Sequence, residues 1–127
     1  MISLIERRLL QLSILLAACV PVAAGLAGVL HGMPDASAGG DSHYRYLSGL
    51  LLGLGLLFWS TIPAIERRTG LMRALCFVVV VGGLARLYAL LARGDPGIMR
   101  WALVMELVVT PAVCLWQGRL AGVAAPR

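Results

Sequence analysis

Two ionisable residues, Arg86 and Glu106, stand inside stretches of sequence otherwise apolar enough to cross a membrane. A charge near the centre of a bilayer costs at least a few kcal/mol, so it normally has a partner or a task. A helix rise of ~1.5 Å per residue sets their depth. Arg86 falls roughly 9 Å, and Glu106 roughly 12 Å, from the same end of their two spans. An Arg86–Glu106 ion pair is therefore expected: either charge alone would be costly, whereas a well hydrogen-bonded pair is tolerable.

Arg45 belongs with them on spacing. Arg45, Gly49 and Gly53 recur every four residues and share one helix face, where small residues let helices approach closely. Gly82 and Gly83 precede Arg86 by one turn, and Ala102, Glu106 and Thr110 form a stripe. Pro111 cannot donate to the carbonyl of Leu107, which leaves a free acceptor beside Glu106; Pro21 does the same to Ala17. The candidate site is thus Arg45, Arg86 and Glu106, with Asp41 and His43 at the head of the second span. Arginine forks match carboxylate and phosphate bidentately, so the expected ligand is a lipid headgroup, a small anion or a partner membrane protein. The plainer reading is a salt-bridge cluster that fixes helix packing.

Other chemistries find less support. His31, Asp35, Asp41 and His43 share one loop and are weak metal candidates, but their spacing matches no tight motif. Cys19, Cys76 and Cys114 form no Cys-x-x-Cys arrangement and read as small apolar residues. No nucleophile elbow, P-loop, dinucleotide fingerprint or haem-attachment motif occurs, so no enzyme activity and no cofactor are expected. A proton-coupled transporter using Glu106 is an alternative; small multidrug exporters carry a membrane carboxylate, but in the first helix, which has none here. An arginine beside Glu106 also argues against proton cycling. A membrane-embedded enzyme or redox accessory protein is the third reading.

The elements that must position these residues follow from composition. Of 127 residues, 60% are hydrophobic and 13% charged, too few charges to cover a water-soluble globule of this size. Apolar stretches at 9–30, 44–62, 71–92 and 98–116 each approach the ~20 residues an α-helix needs to cross the hydrocarbon core. No strand-like alternation suggests a barrel. Turn residues fill 31–42, Pro63 and Glu66-Arg67-Arg68-Thr69-Gly70 close the second span, and Arg93-Gly94-Asp95-Pro96-Gly97 predicts a tight turn. The expected fold is all-α, one domain over 1–127 built as a bundle of four antiparallel transmembrane helices.

Net charge is +5, and every basic side chain is Arg. Arg7, Arg8, Arg67, Arg68, Arg73, Arg119 and Arg127 fall on one side; Arg45, Arg93 and Arg100, offset by Asp35, Asp41 and Asp95, fall on the other. The positive-inside rule then places both termini in the cytoplasm and the 31–43 loop outside. The arginines lie in short clusters beside apolar spans, which reads as a topology signal rather than a nucleic-acid surface. Trp59, Trp101, Trp116, Tyr44, Tyr46 and Tyr88 lie near span ends, as interfacial aromatics do. Leu16-Ala17-Ala18-Cys19 is similar to a lipoprotein cleavage signal, but the apolar run continues past Cys19, which favours an ordinary first helix. The Gly49/Gly53 face leaves packing within one chain or between copies open.

Asp41-Ser42-His43-Tyr44-Arg45-Tyr46-Leu47-Ser48-Gly49, Gly82-Gly83-Leu84-Ala85-Arg86 and Glu106 together resemble a bacterial membrane family catalogued as domain of unknown function 4345. The resemblance covers nearly the whole chain and implies a four-helix protein of the bacterial inner membrane, without an assigned activity. The general shape is also similar to DoxX-like four-helix membrane proteins.

Overall fold

The computed structural model describes residues 4–94, 97 and 99–124. Asp95, Pro96, Ile98 and Arg127, which the sequence assigns to the tight turn, the head of the fourth span and the C-terminus, lie outside the described residues. Regular structure is helical throughout, with no strand among the described residues. Helix α1 runs Leu4–His31, α2 Ala38–Thr61 and α3 Thr69–Arg93; a short 3₁₀ turn, Ile62–Ala64, follows α2. The last span is α4 (Met99–Val104), a π-helical turn (Met105–Val109) and α5 (Thr110–Ala124). Four helical stretches are long and apolar enough to cross a membrane, the mark of a multi-pass membrane protein.

The helices outrun the apolar runs at several ends. Residues 38–42, expected as loop, form the first turn of α2. Ser37 caps that turn by accepting the Gly40 N–H at 3.2 Å, and Asp41 places negative charge near the positive helix end. These local groups outweigh the poor helix propensity of Gly39 and Gly40. Helix α1 continues unbroken through Cys19, whose Sγ donates to the Leu15 carbonyl one turn back.

The chain forms two compact units. In the unit Gln11–Pro63, α1 and α2 make a helical hairpin. A Cβ on Gly25 would lie 2.5 Å from the Leu52 nitrogen, and one on Gly55 would lie 2.6 Å from Val22 Cγ2. Trp59 Nε1 donates to the Leu15 carbonyl, and Gln11 Nε2 to that of Ile62. The pairs climb α2 as they descend α1. Gly25 and Gly28 on α1, facing Leu52 and Ser48, and Gly55 on α2, facing Val22, provide the close approach. Gly49 and Gly53, chosen on spacing, do not: a Cβ on Gly53 would meet nothing within 4 Å, and one on Gly49 only Val29 at 3.9 Å. The physical reason is phase: Ser48 and Gly55 are seven residues apart, two full turns, and they mark the buried face.

The second unit, Met1–Leu10 with Ala64–Arg127, builds a hairpin from α3 and the last span. Leu10, Ile65, Met72, Leu75, Cys76 and Leu120 are buried there. Gln117, 1% exposed, donates to the Ile65 carbonyl at 2.6 Å and to Thr69 Oγ1 at 2.9 Å, tying α5 to the start of α3. The head of α1 is held by charge. Arg7 pairs with Glu66 at 3.1 Å, and Glu6 Oε1 accepts from Arg119 Nη2 at 2.6 Å and from Trp116 Nε1 at 3.3 Å.

Candidate functional site

Arg86 lies on α3 two turns before the helix ends, and Glu106 lies in the π-helical turn between α4 and α5. Their side chains meet side-on. Arg86 Nε donates to Glu106 Oε2 and Arg86 Nη2 to Glu106 Oε1, both at 3.0 Å. Two parallel charge-assisted bonds fix both planes, as a single contact cannot. The pair is not sealed, with the Arg86 side chain 37% and the Glu106 side chain 21% exposed.

Gly83, one turn before Arg86, makes the meeting possible. It is buried, and a Cβ there would stand 2.9 Å from Glu106 Cβ and 2.8 Å from Leu107 Cδ2. Gly82 faces open space. Of the two glycines read as an approach surface, Gly83 alone serves one here.

The π turn explains why Glu106 points where it does. In this turn the Thr110 N–H reaches back five residues to the Met105 carbonyl, and Thr110 Oγ1 donates to the same oxygen at 2.8 Å. Pro111 lacks an N–H, and its ring presses on the carbonyl four residues earlier, that of Leu107. Widening the preceding turn relieves that pressure. Pro111 thus reshapes the backbone around Glu106, beyond merely leaving one acceptor free. Such wide turns are rare and concentrate at functional positions. Thr110 also links back to α3, its carbonyl lying 3.8 Å from Cys76 Sγ.

Arg45 has a different setting. Arg45 Nε donates to Asp41 Oδ2 at 2.8 Å, and Nη1 donates to the carbonyls of Val29 at 2.5 Å and Leu30 at 3.3 Å. Those carbonyls belong to the last turn of α1, whose final oxygens have no helical donor. A cation at that negative helix end is favourable. Asp41 Oδ1 accepts the Met33 N–H at 2.6 Å, which holds the loop. Gly32 ends α1 with φ +64°, and a Cβ there would run into Asp41 Oδ1 and Arg45 Nη2. The sequence-predicted cluster is therefore assembled as two ion pairs, Asp41–Arg45 in one unit and Arg86–Glu106 in the other.

His31, Asp35 and His43 are exposed. Among the described residues no three His, Cys, Asp or Glu side chains gather as a metal ion would require. The polar contacts of Glu6, Arg7, Glu66, Trp116, Gln117 and Arg119 leave little mark on the sequence, because arginines beside apolar spans carry a topology signal of their own. The available clue was that Glu6 and Glu66 are the two carboxylates on the arginine-rich side.

The model of a family described as Domain of unknown function (DUF4345) matches residues 9–117. The chain belongs to this family. The matched region contains both ion pairs, Gly83 and Pro111. No curated protein and no solved structure matches the chain.

Proposed function

We propose that this DUF4345 chain is a small multi-pass protein of the bacterial inner membrane, with both termini cytoplasmic, whose Arg86–Glu106 pair is an anion-binding site opening towards the periplasmic side. The observation that carries this reading is the partly exposed, bidentate pair held on a π turn. The same arginine edge that grips the Glu106 carboxylate fits a phosphate or carboxylate of a lipid headgroup or small anion. Such a group takes the place of Glu106 on that edge, and its own negative charge then pairs with Arg86. Asp41 and Arg45 serve as the clasp that closes α1 onto the head of α2. An acidic side chain of a partner membrane protein would engage the same arginine edge.

The test is native mass spectrometry of the gently solubilised protein, wild type beside Arg86→Ala and Glu106→Gln. The expected result is a co-purifying mass in wild type that is absent from Arg86→Ala while the variant keeps its helicity. Bare protein in all three, with the variants merely less stable, would leave the pair as a packing clamp. That second reading has its own support in the close seat of Gly83 against Glu106. A transporter would instead give gradient-dependent flux in vesicles that is lost in Glu106→Gln.

A further inference from the structure

Six described arginines and two glutamates meet at the end of the second unit where α1 and α3 begin and α5 finishes. The two carboxylates are already used: Glu66 by Arg7, and Glu6 by Arg119. Arg8, Arg67, Arg68 and Arg73 remain, all exposed and without an ion pair among the described residues. The sequence offers these four no further carboxylate nearby, since no acidic residue other than Glu6 precedes Asp35 and none other than Glu66 lies between Asp41 and Asp95.

Their placement is specific. Arg8 stands among Leu4, Ile5 and Leu9, which are 76%, 73% and 51% exposed, so charge and bare apolar surface occur side by side. Arg67 and Arg68 lie in the connection leading into α3. Arg73, one turn into α3, reaches across to α5, its Nη2 4.0 Å from where a Cβ on Gly118 would sit. Helices of membrane-crossing length converge here, so this is the level at which acyl chains give way to headgroups. Clustered arginines beside a transmembrane helix attract anionic lipids at short range.

We infer that Arg8, Arg67, Arg68 and Arg73 form a docking surface for the headgroups of acidic phospholipids. The exposed leucines take the upper acyl chains while the guanidinium groups take the phosphates. The surface uses none of the residues of the Arg86–Glu106 site, so either can fail without the other.

The purified full chain is equilibrated in mixed micelles containing phosphatidylglycerol and phosphatidylcholine, and retained lipid is read by native mass spectrometry. Wild type should keep phosphatidylglycerol in preference to phosphatidylcholine. Each of Arg8→Gln, Arg67→Gln, Arg68→Gln and Arg73→Gln should weaken retention about fivefold. The fourfold Arg→Lys variant should keep most of it, because the attraction is chiefly charge. On wild type, retention should collapse at about 1 M salt, where screening acts within ~3 Å. Three results would overturn the proposal: no preference for the acidic lipid in wild type, retention indifferent to salt, or glutamine variants that hold the lipid as well as wild type. Displacement of the lipid by an equal concentration of inorganic phosphate would also overturn it, by assigning the surface to a free anion.

Discussion

The Asp41–Arg45 and Arg86–Glu106 pairs use the same chemistry and differ in where their partners lie. Arg45 spends Nη1 on the carbonyls that end α1, and Asp41 spends an oxygen on the Met33 N–H. Every one of these partners lies in or beside a single loop, and together they close it. Arg86 turns its Nε–Nη2 edge on one carboxylate carried by the facing helix, and that carboxylate sits on a distorted turn. An arginine that satisfies backbone carbonyls is replaceable by any group that satisfies them. An arginine paired bidentately with a carboxylate can exchange it for another anion of the same shape.

Several substitutions would break or sharpen that contrast. The largest effect is expected from Gly83→Val, which pushes a branched side chain into Glu106 Cβ and Leu107. Overpacking of this kind costs about 3 kcal/mol, measurable as a lowered thermal transition in detergent, together with loss of the Arg86–Glu106 contact. Arg86→Ala comes next. Stranding Glu106 would cost several kcal/mol at a sealed site, and partial exposure reduces this to about 2 kcal/mol. The joint Arg86→Met/Glu106→Met variant should recover much of that stability without recovering ligand. A joint variant that still retains ligand would remove the pair from the site.

Gly32→Ala is expected to cost about 1–2 kcal/mol, from its left-handed backbone alone. Its damage should stay local, seen as faster hydrogen exchange at residues 29–33. Arg45→Ala should show the same local signature and leave the mass retained at Arg86 unchanged. Loss of that mass in Arg45→Ala would return Arg45 to the binding site and erase the contrast. The smallest stability change is expected from Pro111→Ala, which restores a donor and removes the ring. Its readout is the helix itself: carbonyl-labelled infrared bands at Met105 and Leu107 should shift towards ordinary α-helical hydrogen bonding.

Much of this was legible in the sequence because membrane spans are read by length and depth. Four apolar runs set the helices, and counting residues inward from their ends brought Arg86 and Glu106 to one level. Pro111 signals a disturbance beside Glu106, but not its form, because a helix can answer a proline with a kink, a lost hydrogen bond or a wide turn. The choice between Gly82 and Gly83, and between Gly49/Gly53 and Gly25/Gly28/Gly55, turned on helix phase. Phase within an almost wholly apolar span leaves little mark on sequence, since lipid-facing and protein-facing residues are equally hydrophobic. Ser37 marks the early start of α2 by its capping oxygen, a signal that the glycines after it obscure in the sequence.

The π turn also bears on how this helix can change length. It holds one residue more than the α-helical path between Val104 and Thr110 requires, so α4 and α5 each keep their own rotational setting. Deleting one residue elsewhere in the four spans would swing everything beyond it by about 100°. Deleting Val108 would instead convert the wide turn to a regular one, with Trp101 and Gln117 keeping their bearings and only the Pro111 strain returning. The stretch beside Glu106 is therefore where a one-residue deletion can be absorbed with least disturbance to either flank.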